Sequence, residues 1–172
     1  MSDFWVFGYG SLIWNPGFEF KHEAQAKLFG YHRRLCISSW NYRGTKEISG
    51  LVLGLDRGGS CAGVARLVSA GSREGVIDYL RAREMINQVY KEVWVKIRLL
   101  DGRNVEALTY VADSTHEQYV ATLPEEETLS RVKRAHGDAG PNVDYVTNTV
   151  SSLLALGIRD KSLEKLASKL VD

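Results

Sequence analysis

The stretch from residue 89 to 112 constrains the fold most. Val93, Val95 and Ile97 alternate with Trp94, Lys96 and Arg98, the period-2 pattern of a strand with one face toward a core. Asp101-Gly102 then supplies a two-residue turn, and residues 103–112 return with Val105, Ala107, Thr109 and Val111 on one side. This spacing predicts a β-hairpin. Upstream, residues 4–9, 26–38, 48–56 and 62–68 also read as strands, the last two separated by the turn cluster Arg57-Gly58-Gly59-Ser60. A helix is expected after Ser72, a good N-cap residue, with Glu74 favourable in its first turn. The C-terminal third is helical in pattern. Pro124 suits a first helical position, Gly137 and Gly157 suit stops, and Leu163, Leu166 and Leu170 form an amphipathic stripe. Strands, a helix, a hairpin and then helices predict an α+β fold, mainly an antiparallel β-barrel with flanking helices. A doubly wound parallel sheet would need regular strand–helix alternation.

The bulk numbers bound the rest. At 172 residues with 44% hydrophobic content, one globular domain spanning 1–172 is expected, with no internal repeat or linker to divide it. Lys and Arg total 22 against 21 Asp and Glu, a net charge of +1, so no global field draws in nucleic acid. The apolar runs fall far short of the ~20 residues that span a bilayer, which argues against membrane insertion. The first residues, MSDFWVFGYG, carry Asp3 and no basic region, unlike a signal peptide. Cys36 and Cys61 could form at most one bridge, so a cytoplasmic protein with reduced thiols is expected.

Several motifs are tested and set aside. Gly8-Tyr9-Gly10 begins like a dinucleotide fingerprint, but Ile13 stands where its third glycine belongs. No phosphate loop is present. Gly58-Gly59-Ser60-Cys61-Ala62 fails as a nucleophile elbow, because Ala62 replaces the last glycine and a strand follows where a helix is required. His22, His32, His116 and His136 lack cysteine or carboxylate neighbours at ligand spacing, so neither a metal nor a cofactor is expected.

Two features admit both a structural and a functional reading. In the helix after Ser72, Val76, Ile77 and Leu80 mark the inward face, and Glu84 continues that stripe. A carboxylate there is costly unless paired or neutral. It is either a salt-bridge partner, with Arg83 next door, or a general base whose pKa is raised by desolvation. The second feature is FGYGSLIWNP, residues 7–16. Its glycines weaken a strand, which fits either a strand end with a turn or close approach of backbone to a ligand.

FGYGSLIWNP, Arg83-Glu84-Met85 and Ala139-Gly140-Pro141-Asn142-Val143-Asp144-Tyr145 occur in that order. Together they resemble the ChaC-type γ-glutamylcyclotransferases, which degrade glutathione, and the likeness spans nearly the whole chain. The resemblance implies a γ-glutamylcyclotransferase-like barrel and conversion of a γ-glutamyl compound to 5-oxoproline and a free amine, Cys-Gly in the case of glutathione. It implies that Tyr9, Gly10, Ser11 and Leu12 form the substrate loop, that Glu84 is the catalytic glutamate and that Tyr145 lines the pocket. Arg33, Arg34 and Arg43 are candidates to meet the substrate carboxylates, with Arg43 preferred.

The chain also departs from the family pattern. Ser49-Gly50-Leu51 stands where members usually show Pro-Gly-Arg, and Gly63-Val64-Ala65-Arg66-Leu67-Val68 lacks the tyrosine of the usual GVAYRL strand. Both departures bear on glutathione preference. Other γ-glutamyl amino acids or amines are the alternative substrates, and a non-catalytic regulator of cation transport is the alternative of another class.

Overall fold

Strand β1 (Phe4–Gly8) is buried along its whole length and paired on both edges. On one side it runs antiparallel to β3 (Gly50–Val68), from Phe4 opposite Val68 to Gly8 opposite Val64. On the other it runs parallel to β5 (Asn104–Ala112), with Trp5 opposite Ala107 and Val6 opposite Leu108. With β2 (His22–Ser39) and β4 (Tyr90–Leu99), the sheet closes into a barrel in the order β1-β3-β2-β4-β5. Closure leaves no open edge. The expected barrel is therefore present, mainly antiparallel and with one parallel pair. The computed structural model describes residues 1–172. They group into two compact units, residues 1–34 with 54–116 and residues 35–53 with 117–172.

Two local expectations in the first unit need correction. The cluster at residues 57–60 does not separate two strands, since β3 runs through it. Gly58 and Gly59 take positive φ values of 99° and 66°, conformations open to glycine that let a strand bend without ending. The hairpin loop is also longer than two residues. Leu99 N–H donates to Arg103 O at 2.8 Å and Gly102 N–H to Leu99 O at 2.9 Å. Leu100, Asp101 and Gly102 form the loop, with Gly102 at φ 94°, the three-residue turn with a glycine in the left-handed position.

Helix α2 (Arg73–Glu84) follows a single 3₁₀ turn at Ala70–Ser72. Ser72 holds the N-cap position but its side chain makes no capping bond. Val76 and Leu80 pack with Phe4, Val6, Leu12, Val68, Leu108 and Tyr110. This explains why β5 is buried from Ala107 through Val111 on both faces, since α2 covers the face that carries Leu108 and Tyr110.

The second unit holds three helices, α3 (Glu125–Arg134), α4 (Asn142–Ala155) and α5 (Lys161–Leu170), with the two-residue strands β6 (His136–Gly137) and β7 (Gly140–Pro141) between the first two. Pro124 is the N-cap of α3, not its first helical residue. Gly137 is not a helix stop, because α3 has already ended at Arg134. A Cβ on Gly137 would collide with main-chain atoms of Asn41 and Tyr42, so close backbone approach demands glycine there. Gly157 does end α4 as expected. It sits at φ 74°, with Gly157 N–H bonded to Leu154 O and Ile158 N–H to Leu153 O, both at 2.9 Å, a Schellman closure. Leu163, Leu166 and Leu170 are buried, and Asp160 caps α5 by accepting from Leu163 N–H at 3.1 Å. No helix is long and apolar enough to cross a membrane.

Gly63 tests how tightly β1 and β3 are held. A Cβ there would collide with Gly8 O and lie 2.8 Å from Phe7 Cζ. Gly63→Ala is expected to lower stability by about 1–3 kcal/mol, measured by urea unfolding. An unchanged unfolding midpoint would mean that β1 can shift freely.

Candidate active site

Behind β1 the chain turns through Tyr9 and Gly10 into α1 (Ser11–Trp14), a single helical turn. So short a helix cannot satisfy its own backbone, and the loop around it is held by side chains. Arg33 Nε donates to Tyr9 O at 2.6 Å, and its Nη2 donates to Ala62 O. Arg66 Nη1 donates to Leu12 O and its Nη2 to Ile13 O at 2.8 Å, while its Nε pairs with Glu23 at 2.8 Å. Arg83 Nη1 donates to Asn15 O at 2.6 Å and Pro16 O at 3.3 Å, and its Nη2 donates to Ser11 Oγ at 3.0 Å. The carbonyls are thus turned onto three guanidinium groups. The expected loop residues Tyr9, Gly10 and Leu12 are buried, and Ser11 is half-buried. At Gly8, an added Cβ would sit 3.1 Å from Leu12 Cβ, so this glycine allows the turn to fold back on the strand.

Glu84 is the last residue of α2, with its side chain only 15% exposed. Burial raises its pKa above the usual carboxylate range, and the nearby Arg83 charge opposes that rise. Arg83 Nε lies 3.5 Å from Glu84 Oε1, a loose pair beside Arg83's contacts to the loop. Tyr110 is the other neighbour. Its hydroxyl donates to Glu92 at 3.1 Å, and Glu92 is paired with Arg81 at 2.9 Å. Hydrogen bonding from Arg81 lowers the Glu92 pKa. Tyr110 is pushed up by burial first and then by the Glu92 and Glu84 charges. Glu84 and Glu92, which both act on Tyr110, are therefore driven in opposite directions.

Arg43 and Tyr145 come together in the second unit. The Arg43 guanidinium lies 5.7 Å from the Tyr145 ring centroid, and Arg43 Nη1 donates to Pro141 O at 3.0 Å. Arg43 is 7% exposed, and burial lowers its pKa against the opposing effect of Tyr145 and Asp144. Tyr145 Oη accepts from Leu53 N–H at 2.9 Å. Asn142 takes both main-chain groups of Leu51, accepting from its N–H at 2.8 Å and donating to its carbonyl at 2.9 Å. The other two candidate arginines are committed within the first unit, Arg33 to Tyr9 and Ala62 and Arg34 to Asp56 at 2.9 Å.

The sequence model of the ChaC-like protein family matches residues 4–172. The chain belongs to the ChaC-like family. It is 35% identical over 162 residues to the glutathione-specific gamma-glutamylcyclotransferase of Escherichia coli K12, covering 94% of this chain and 70% of that one. It is 32% identical over 146 residues to the Homo sapiens glutathione-specific gamma-glutamylcyclotransferase 1, covering 83% and 66%. The yeast gamma glutamyl cyclotransferase specific to glutathione has the same fold, with a TM-score of 0.91 at 22% identity over 99% of this chain and 96% of that one. The ChaC-like barrel expected from the three motifs is thus the fold observed.

Sequence reasoning passed over Arg66, Asn142 and the Arg81–Glu92–Tyr110 chain. A signal existed for Arg66, since an arginine inside the apolar run of residues 63–68 must find partners if buried. The other two depend on partners far away in the sequence. The raised Glu84 pKa makes a stability prediction. A carboxyl whose folded pKa lies above its ordinary 4.5 favours folding below that value and loses the contribution as pH rises through the folded pKa. Glu84→Gln should therefore melt above the wild type at pH 8, with the difference disappearing near pH 4. Equal melting temperatures at both pH values would mean that the carboxylate is not strained by burial.

Proposed function

We propose that the chain is a γ-glutamylcyclotransferase that cleaves glutathione to 5-oxoproline and Cys-Gly, with Glu84 as general acid and base. The observation that carries this reading is a buried carboxyl of raised pKa joined through Arg83 to the Tyr9–Leu12 loop. The names of the bacterial and human relatives support the same substrate. We treat residues 1–172 as one catalytic domain. A cytoplasmic setting fits both the substrate and a chain with only two cysteines. The small-molecule substrate is the only partner proposed.

The reaction supplies its own nucleophile. The substrate's α-amine attacks its γ-carbonyl carbon, the lactam C–N bond forms and the amide C–N bond to cysteine breaks. Intramolecular attack reaches effective molarities of ~10⁵ M or more when the groups are held in a near-attack pose. The amine is protonated at neutral pH, so a base must take its proton, and the same group can return one to the departing amine. A carboxyl with its pKa raised toward neutrality suits both steps. Gly10 leaves room for main-chain N–H groups near the γ-carbonyl oxygen as it gains charge, and Ser11 and Leu12 continue that loop. Tyr145 is proposed as a pocket residue from its place in the family motif, and Arg43 is the preferred candidate to meet a substrate carboxylate.

A second substrate range has one observation in its favour. Leu51, where family members usually have arginine, is 1% exposed and places no charge at that position. Relaxed preference would show as turnover of γ-Glu-Ala.

Glu84→Gln is expected to lower 5-oxoproline formation from glutathione by roughly 10²–10⁴-fold, with binding still measurable by calorimetry. Near-normal turnover by the folded variant would remove Glu84 from the chemistry. The same assay on γ-Glu-Ala measures the substrate preference of the unmodified protein.

A further inference from the structure

One guanidinium in the first unit does more than pair with its neighbour. Arg83 Nη1 donates to Asn15 O at 2.6 Å, Pro16 O at 3.3 Å and Tyr79 Oη at 2.9 Å. Its Nη2 donates to Ser11 Oγ at 3.0 Å, and its Nε lies 3.5 Å from Glu84 Oε1. The side chain is 17% exposed, and its contacts to Pro16, Tyr79 and Ser11 are partly buried while that to Asn15 is exposed. Only a planar fork of donors can reach the loop, the tyrosine and the carboxylate from one position, and the single ammonium of lysine cannot. Tyr79 approaches Gly17 closely, so that a Cβ added there would collide with its hydroxyl, and its ring packs edge-on against Phe18 at 6.5 Å.

We propose that Arg83 is a positioning residue that locks the Ser11–Pro16 segment and Glu84 into one geometry and gives Ser11 its polarity. Because Ser11 Oγ accepts from Arg83, the serine proton is left to donate to an acceptor oxygen of the substrate. The inference rests on the γ-glutamylcyclotransferase reading above, with Glu84 as the base. Arg83 also acts on that base by charge. The titratable groups beside Glu84 are Arg83 on its own helix and Tyr110 from β5. Tyr110 leads on to Glu92 of β4, which Arg81 holds ionised. Arg83 is thus the cation that favours the charged form of Glu84.

The test uses the full chain, glutathione as substrate and 5-oxoproline as product, with rates measured from pH 6 to 9.5. Arg83→Met should move the acid limb of the kcat profile up by about one pH unit, because a neighbouring cation is lost. Its kcat should fall most on the acid side of the profile, approaching roughly tenfold there, and recover at alkaline pH. Arg83→Lys keeps a charge and should keep the wild-type limb, but its KM should rise because the loop contacts are gone. Ser11→Ala should add little to Arg83→Lys, since the serine is already released. A folded Arg83→Met with a wild-type acid limb and KM, alongside an inactive Glu84→Gln, would overturn the role of Arg83 and leave the base intact. An active Glu84→Gln would instead overturn the base, and this proposal with it. If Arg83→Met does not fold, Arg83→Lys decides, and an unchanged KM counts against the proposal.

Discussion

Five main-chain carbonyls between Tyr9 and Pro16 are held by three guanidinium groups, and the candidate site depends on that arrangement. Arg33 takes Tyr9, Arg66 takes Leu12 and Ile13, and Arg83 takes Asn15 and Pro16. The constraint begins with β1, which is paired on both edges and ends in a glycine. A chain leaving such a strand into a one-turn helix has main-chain groups that neither element can satisfy. Arginine solves this better than lysine because one planar side chain can serve two or three carbonyls in fixed directions. The three arginines come from three elements, β2, β3 and α2. The loop is therefore tied to the barrel wall and to the covering helix at once.

Electrostatics around α2 follow from the same packing. Val76 and Leu80 seat the helix on Leu108 and Tyr110, and the helical repeat then carries Glu84 inward. Glu92 lies in the same neighbourhood, yet Arg81 bonds both of its oxygens at 2.9 Å. Glu84 receives only the loose 3.5 Å approach of Arg83, whose stronger contacts go to the loop. Desolvation therefore dominates at Glu84 and charge-assisted hydrogen bonding dominates at Glu92. The difference lies in where each arginine spends its donors.

The second unit shows the same economy of donors with an amide. Asn142, the first residue of α4, bonds the N–H and carbonyl of Leu51 as a neighbouring strand would. Tyr145, one turn later, accepts from Leu53 N–H. Gly50 fits close against this helix start, where a Cβ would stand 2.9 Å from Asn142 Oδ1. Within the AGPNVDY motif, the asparagine and the tyrosine thus extend the bonding of β3. The Arg43 guanidinium lies 5.7 Å from the centroid of that tyrosine ring.

Much of this could be read from residue order. The alternation at residues 93–98 predicts β4, the leucine stripe predicts α5, and the helical spacing from Val76 places Glu84 inward. These are periodic signals, set by local backbone geometry and by which side chains avoid water. The glycines were harder to read because one residue type serves several ends. Gly58 and Gly59 bend a strand that continues, whereas Gly137 makes room for a neighbouring backbone. The arginine clamp was decided only in three dimensions. Arg83 stands 72 residues from Ser11, and Arg66 stands 54 from Leu12. No local pattern says which distant carbonyl a guanidinium will meet. That is settled when the barrel closes and the main-chain groups left without partners take the donors within reach.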